Sequence, residues 1–317
     1  MRPIRIKLSL FWCLDLGSPR SPLLRGFLFA VPHALPFFIC VGPPPMHRVT
    51  TITGEFASRL GLAAHPEQDP RCVARAAEGW INYFFFYGPE PGELGKSLVP
   101  LLQKRREELI VASGSGSRKR PTLLTNRRKI LSGLGIETLD IFFAEYINPS
   151  DDLDAIFAAG GVLDELSRWK SEGAIRYVGA TAHDRSLSRQ LAADPRVDVL
   201  MQRFNMAHRK AATEVFPDAI RSETPIIAFT ATRWRTLFEA PSGWNEPCPS
   251  AVDCYGYCLA QPAVQVVLTS PQTAEQLDEN LAVLKSPPLT DRERTHWERF
   301  GDRVYGSGAG AFDTKWQ

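Results

Sequence analysis

The sequence predicts an α/β protein closed into a (β/α)8 barrel, the TIM-barrel architecture, and three observations carry that expectation. Short apolar runs alternate eight times with longer amphipathic stretches, the pattern of βαβ units and a parallel sheet. The chain has 317 residues, and an α/β barrel of about 250 residues folds as one unit around one core. Hydrophobic residues make up 44% and charged residues 23%, the balance of a globular enzyme and not of a fibrous or disordered chain. A formal net charge of +2 is too small for a phosphate-binding face, so nucleic acid is not an expected partner and a small molecule is.

Residues 1–45 differ in character from the remainder of the chain. Arg2, Arg5, Lys7, Arg20 and Arg25 precede an apolar run from Phe27 to Val41, which Pro32, His33 and Pro36 interrupt and Pro43, Pro44 and Pro45 close. The run is too short and broken for a membrane span, which needs about 20 apolar residues, and it lacks the small-residue cleavage site of a secretory signal. The expectation is an extension outside the fold, a mis-assigned start with Met46 as the true one or a targeting segment, and a barrel with a C-terminal helix over 46–317. A cytoplasmic location follows from the same reading.

Strands are expected at Ser58–Leu62, Ile81–Phe86, Leu109–Ala112, Leu139–Ala144, Ile175–Thr181, Val197–Gln202, Ile226–Thr230 and Val264–Thr269. Helical patterns follow them at Ala74–Gly79, Glu93–Arg105, Leu123–Leu134, Leu153–Ser171, Ser186–Ala193, Ala211–Arg221, Ala251–Ala260 and Ala274–Leu284. Asp151 and Asp152 place carboxylates at the positive end of the fourth helix, Arg168 and Lys170 lie in its last turn, and Gly173 stops it. Thr290 to Tyr305, with Asp291 and Glu293 in its first turn and Gly306 after it, is an added helix beyond the barrel. A barrel of this kind carries its ligand site at the carboxyl ends of its strands, so the residues just after each strand are the ones to read.

The six cysteines, at 13, 40, 72, 248, 254 and 258, include no CxxC pair and no His at metal-ligand spacing. Cys248, Cys254 and Cys258 lack a fourth ligand, and no metal is expected.

Leu134-Gly135-Ile136-Glu137-Thr138-Leu139-Asp140-Ile141-Phe142 and Gly173-Ala174-Ile175-Arg176-Tyr177-Val178-Gly179-Ala180-Thr181 resemble the fourth and fifth strands of the aldo/keto reductases. Gln202-Arg203-Phe204-Asn205 resembles the family's sixth-strand motif, Ile227-Ala228-Phe229-Thr230 its seventh, and Ser270 to Asn280 the segment that grips the adenosine phosphate. The resemblance spans Ser58 to Gly306 and implies NADPH-dependent reduction of carbonyls. It places Thr181 and Gln202 on the nicotinamide amide, with Ala182 where an Asn would help, and Phe229 and Thr230 beside the nicotinamide ring. Ser270, Gln276, Glu279 and Asn280 fall on the adenosine end. Gln276 stands where an Arg is common, which weakens 2′-phosphate recognition and leaves NADH as a competing cofactor.

The catalytic positions that the resemblance implies depart further. The family uses an Asp and a Tyr after the second strand, a Lys after the third and a His after the fourth, the Tyr being the proton donor. Phe85 stands at the Asp position, Gly114 at the Lys position and Glu145 at the His position, while Tyr87 is the surviving donor. Its phenol titrates near 10 when unassisted. Loss of both Lys and Asp is consistent, since either alone is a buried unpaired charge. A carboxyl in an apolar pocket can stay protonated near neutrality and act as an acid, and one branch of the family has Glu there and reduces carbon–carbon double bonds. The plainer alternatives are a solvated or Arg-paired Glu145, a mouth-lining Tyr87, and loop roles for His183 and His208.

Ser113 to Ser117 reads as a substrate loop, and Ala231 to Pro249, with Arg233, Trp234 and Trp244, as a lid in which Arg233 reaches an anionic group. The competing function is a non-catalytic cofactor-binding sensor that kept the cradle of Gln202, Phe229 and Asn280. A metal-dependent barrel hydrolase is a third class, for which Glu145 and His183 alone are insufficient.

Overall fold

The structure is a computed structural model that describes residues 49–308; the 1–45 extension lies outside the described residues. Eight strands pair in chain order and close on themselves: β1 Leu60–Ala63, β2 Tyr83–Phe85, β3 Ile110–Ser115, β4 Leu139–Ile147, β5 Ile175–Ala182, β6 Val199–Arg203, β7 Ile226–Phe229 and β8 Val264–Thr269. All neighbours are parallel, and β1 completes the ring with Leu62 opposite both Phe84 of β2 and Thr269 of β8. The predicted strands all form, with ends that move by a few residues.

The helices are α1 Arg71–Glu78, α2 Gly92–Arg105, α3 Arg120–Leu134, α4 Leu153–Phe157, α5 Val162–Ser171, α6 Arg185–Ala193, α7 Ala211–Glu214, α8 Phe216–Arg221, α9 Ala251–Leu259, α10 Ala274–Leu281 and α11 Asp291–Tyr305. Two stretches expected as single helices are broken. Leu153–Ser171 divides at Gly160, whose φ is +79°, and at Gly161, where a Cβ would lie within 2.9 Å of three carbonyl oxygens. Ala211–Arg221 divides at Val215, two residues before Pro217, which has no N–H to continue the ladder. Caps fix the other starts: Asp152 accepts from Ala155 N, and Ser250 and Thr290 form capping boxes with Asp253 and Glu293. Gly173 ends α5 with φ +75°.

Side chains alternate about the barrel wall. Inside lie Tyr83 and Phe85, Ile110 and Ala112, Ile141 and Phe143, Val199 and Met201, Ile227 and Phe229, and Val266 and Leu268. The outward faces pack under the helices, with Trp169 against Phe142 at 5.1 Å. Bulky rings on β2 and β4 are matched by missing side chains on their neighbours: a Cβ at Gly179 would meet the Phe143 ring at 2.4 Å.

Residues 49–57 close the amino-terminal end of the barrel. Thr50 bridges Phe56, Val49 N donates to Gln265 Oε1 (3.0 Å), and Val49 joins the inner core. The Arg176 guanidinium donates to the carbonyls of Thr50 (2.7 Å) and Thr51 (2.9 Å) and to Asp140 (2.7 Å), which also pairs with Arg106 (2.8 Å).

Candidate active site

The opposite end is open, and the residues after each strand meet there. Phe85 ends β2 with its ring inside the barrel, edge-on to Phe143 at 5.8 Å and to Tyr87 at 4.6 Å. Gly88 then takes φ +68° and turns the chain away. The Ser113 hydroxyl donates to the Gly88 carbonyl (2.7 Å), so β2 and β3 hold this turn together. Ser113, Gly114 and Ser115 belong to β3 and are buried, which replaces the expected substrate loop with a strand end.

Gly114 is packed too closely for any side chain. A Cβ there would lie 2.3 Å from the Phe143 carbonyl oxygen and 2.9 Å from Cγ of Glu145. The space that a longer residue would need is filled by β4 itself and by Glu145.

Glu145 is 3% exposed, and its Oε1 accepts from Gly88 N at 3.1 Å. Burial pushes its carboxyl up to about 7, against the opposing pulls of the Gly88 N–H and the Arg118 charge. Arg118 donates to the Glu145 carbonyl (2.9 Å) and pairs with Asp151 (2.9 Å).

Beyond Glu145 the register of β4 shifts and Tyr146 takes φ +52°, a conformation that L-residues adopt at a cost. The bulge turns its ring into a row of stacked aromatics: Tyr87 on Tyr146 at 5.4 Å and 22°, Tyr146 on His183 at 5.9 Å and 7°, His183 edge-on to Phe229 at 5.5 Å. Tyr87 is 40% exposed at one edge, while its hydroxyl points inward to the Met201 sulfur (4.0 Å). Burial first, and then Tyr146, raise the Tyr87 phenol above its ordinary value. Burial raises Tyr146 as well, but the neighbouring Tyr87 side chain opposes that rise.

These rings form one wall of a cavity of about 920 Å³ at the barrel mouth. Tyr87, Phe229, Thr230, Ser270, Gln276, Glu279 and Asn280 all line it. The Asn280 amide donates to Thr269 Oγ1 (2.9 Å), Ser270 Oγ to the Ala64 carbonyl (2.9 Å), and Gln276 Oε1 accepts from Gln272 N (2.9 Å). Three of the singled-out residues lie off this lining. Glu145 sits beneath Gly88, Thr181 Oγ1 accepts from Tyr146 N (3.3 Å), and Gln202 lines a neighbouring smaller cavity.

The loop after β7 overhangs the mouth. Arg233, Trp234 and Arg235 have φ of +49°, +50° and +71°, a left-handed turn that puts Trp234 and Arg235 on the large cavity. Arg233 instead donates to the Val304 carbonyl of α11 (3.1 Å) and anchors the loop. Sequence reasoning missed Tyr146 and Arg235, since left-handed backbone at ordinary residues leaves no mark in composition; adjacency to Glu145 was the only signal for the first. Among the described residues no cluster of His, Cys, Asp or Glu is placed to hold a metal, and no helix is long and apolar enough to cross a membrane.

No known protein family and no curated protein matches the sequence. Solved structures do match. The aldo-keto reductase AKR11C1 from Bacillus halodurans, in its holo form, superposes with a TM-score of 0.65 at 18% identity, covering 80% of this chain and 96% of that one. Its apo form gives 0.64 at the same identity and coverage. The chain is thus a closed parallel (β/α)8 barrel whose fold is similar to that of this aldo-keto reductase. The likeness is one of fold.

Proposed function

We propose that the chain is an NADPH-dependent oxidoreductase of the aldo/keto reductase type, reducing a carbonyl or an activated carbon–carbon double bond with an altered set of proton donors. The observation that carries this reading is the composition of the large cavity. One long pocket joins an aromatic end, Tyr87, Tyr146 and Phe229, to a polar end, Ser270, Gln276 and Asn280, the sequence of surfaces that a nicotinamide dinucleotide needs. Thr230 Oγ1 and Gln202 Oε1 are buried without a hydrogen-bond partner among the described residues, and buried polar atoms of that sort suit a ligand that supplies the partner.

A nicotinamide bound here supplies hydride. The Phe229 face offers a stacking surface, the Trp234–Arg235 turn covers the pocket from solvent, and Ser270, Gln276, Glu279 and Asn280 hold the distant end. Thr181, off the cavity lining, accepts from Tyr146 N and so supports the aromatic wall from behind. The proton comes from the chain's own acids. With Gly114 in place of a Lys, no cation among the described residues lowers the Tyr87 phenol, which therefore keeps its proton. Glu145, titrating about 7, is half protonated at neutrality and is the group able to give up and regain a proton at working pH. Its hydrogen bond from Gly88 ties it to the turn that carries Tyr87. The free, buried Cys72, Cys254 and Cys258 suit a reducing compartment, in keeping with a cytoplasmic enzyme.

The test is NADPH consumption with small ketones, aldehydes and enones at pH 6 to 8, in the wild type and in Glu145→Gln. The reading predicts turnover that declines as pH rises through about 7 and falls about 100-fold or more in the variant. The filled space at Gly114 also favours a second reading, a cofactor-binding sensor without turnover. Tight NADPH binding with no consumption across the panel selects it.

A further inference from the structure

Side chains from three neighbouring segments build the β4 bulge at Glu145 and Tyr146. Ala144 of β4 lies opposite Ala180 of β5, and Ile147 lies opposite Ala182, so β4 carries one residue more than its partner over this stretch. A bulge takes backbone groups out of the ladder, and a buried group so freed needs another partner. Here side chains meet three of them. Arg118 Nη2 donates to the Glu145 carbonyl (2.9 Å), Tyr146 N donates to Thr181 Oγ1 (3.3 Å), and Asn148 Nδ2 donates to the Tyr146 carbonyl (3.2 Å).

Arg118 and Asn148 share an anchor. Asp151 Oδ2 accepts from Arg118 Nη2 (2.9 Å), from Asn148 N (2.9 Å) and from Asn148 Nδ2 (3.2 Å), so one carboxylate oxygen ties the segment after β3 to the segment after β4. The Arg118 side chain is 14% exposed, and its Nε and Nη1 are buried with no hydrogen-bond partner among the described residues. Asp151 thus meets the guanidinium through one nitrogen only, and the charge sits where solvent screens it little. That charge bears on the Glu145 carboxyl. The other ionisable groups set against the carboxyl are the Tyr87 phenol from the β2 turn and the Tyr146 phenol from β4 itself, both raised by burial and so uncharged at neutrality.

We propose that Arg118, held by Asp151, is the positioning residue of this site: it fixes the bulge that sends Glu145 beneath Gly88 and Tyr146 into the aromatic row, and it presents a permanent positive charge to the Glu145 carboxyl. β3 carries no cation of its own, since at Gly114 a longer side chain has no room, and Arg118 brings one in from just past the strand end. Its charge opposes the effect of burial, so Glu145 loses its proton at a lower pH than the apolar surroundings alone would impose. Calling Glu145 the proton donor of a reaction rests on the reductase reading; its control by Arg118 does not.

Carbon-13 NMR titration of the full chain labelled at its Glu carboxyls, without cofactor, tests this, the Glu145 signal being assigned by its loss in Glu145→Gln. The midpoint in the wild type is expected at about 7. Arg118→Met should move it up by about one unit. Arg118→Gln, which keeps a donor for the Glu145 carbonyl and so disturbs the fold less, should move it the same way, and Arg118→Lys, which keeps the charge, should recover most of the shift. A purely structural Arg118 gives the opposite sign, because a loosened bulge admits water and lets the carboxyl fall toward 4.5. That result, or an unchanged midpoint in both neutral variants, overturns the proposal. NADPH consumption should decline at a correspondingly higher pH in Arg118→Gln; absence of consumption in every form, with the NMR shifts intact, is failure of the reductase reading alone.

Discussion

At the scale of single residues, the site is organised by what occupies the places of absent charges. Gly114 is where the structure is least tolerant: Gly114→Ala should destabilise by about 1–3 kcal/mol through overpacking against β4, whereas Gly116→Ala, with nothing near its Cβ position, should be close to neutral. Urea denaturation of the two variants checks the contrast. Glu145 sets a pH dependence of stability. Its folded value of about 7 stands above the ordinary 4.5, so the folded state binds the proton more tightly than the unfolded chain does. Stability is therefore greatest below about 4.5 with respect to this group, declines as pH rises from there through about 7, and is then lower by roughly 3 kcal/mol. Glu145→Gln, which keeps an acceptor for Gly88, should flatten that decline and raise the melting temperature at pH 8 more than at pH 5. The Glu145 substitution was legible in the sequence because it interrupts a recognisable strand motif. The part played by Tyr146 was not, because its place in the row of rings depends on a bulge that no residue type announces.

At the scale of elements, strands and caps were legible and interruptions were not. Asp152, Thr290 and Gly173 are ordinary signals acting where they stand. The break between α4 and α5 was hidden because Leu153, Ile156, Phe157, Leu163 and Leu166 keep near-helical spacing across Gly160 and Gly161, and the backbone turns there without disturbing which side faces the barrel. The turn over Arg233, Trp234 and Arg235 was likewise invisible, although its neighbourhood was expected to form a lid. Left-handed backbone costs a non-glycine residue about 1–2 kcal/mol, and Trp234 adopts it while 54% exposed. Trp234→Gly should therefore hold or raise the melting temperature while weakening binding in the large cavity; a loss of stability would show that the indole, and not the turn, holds the loop.

At the scale of the whole molecule, the barrel is closed at one end and open at the other, and the two ends have different jobs. The closed end depends on Asp140, fully buried between Arg106 and Arg176. Asp140→Asn removes the charge that both guanidiniums face and should cost about 3–5 kcal/mol, measured as a shift in denaturation midpoint. The open end gathers the functional residues from strands far apart in sequence. That gathering was predictable, since a closed parallel barrel has its ligand site at the strand ends, but which side chains share one cavity was not. Phe229, Thr230, Ser270, Gln276, Glu279 and Asn280 fall together; Gln202 and Thr181 lie to the side, because the strand twist that turns each residue is set by the whole ring.

The central claim is that this mouth holds a nicotinamide cofactor. Titration of the protein with NADPH and NADH, followed by nicotinamide fluorescence and tryptophan quenching, tests it most directly. Saturable micromolar binding, tighter for NADPH and weakened in Phe229→Ala and Asn280→Ala, is the predicted result; a folded protein that binds neither nucleotide would contradict it.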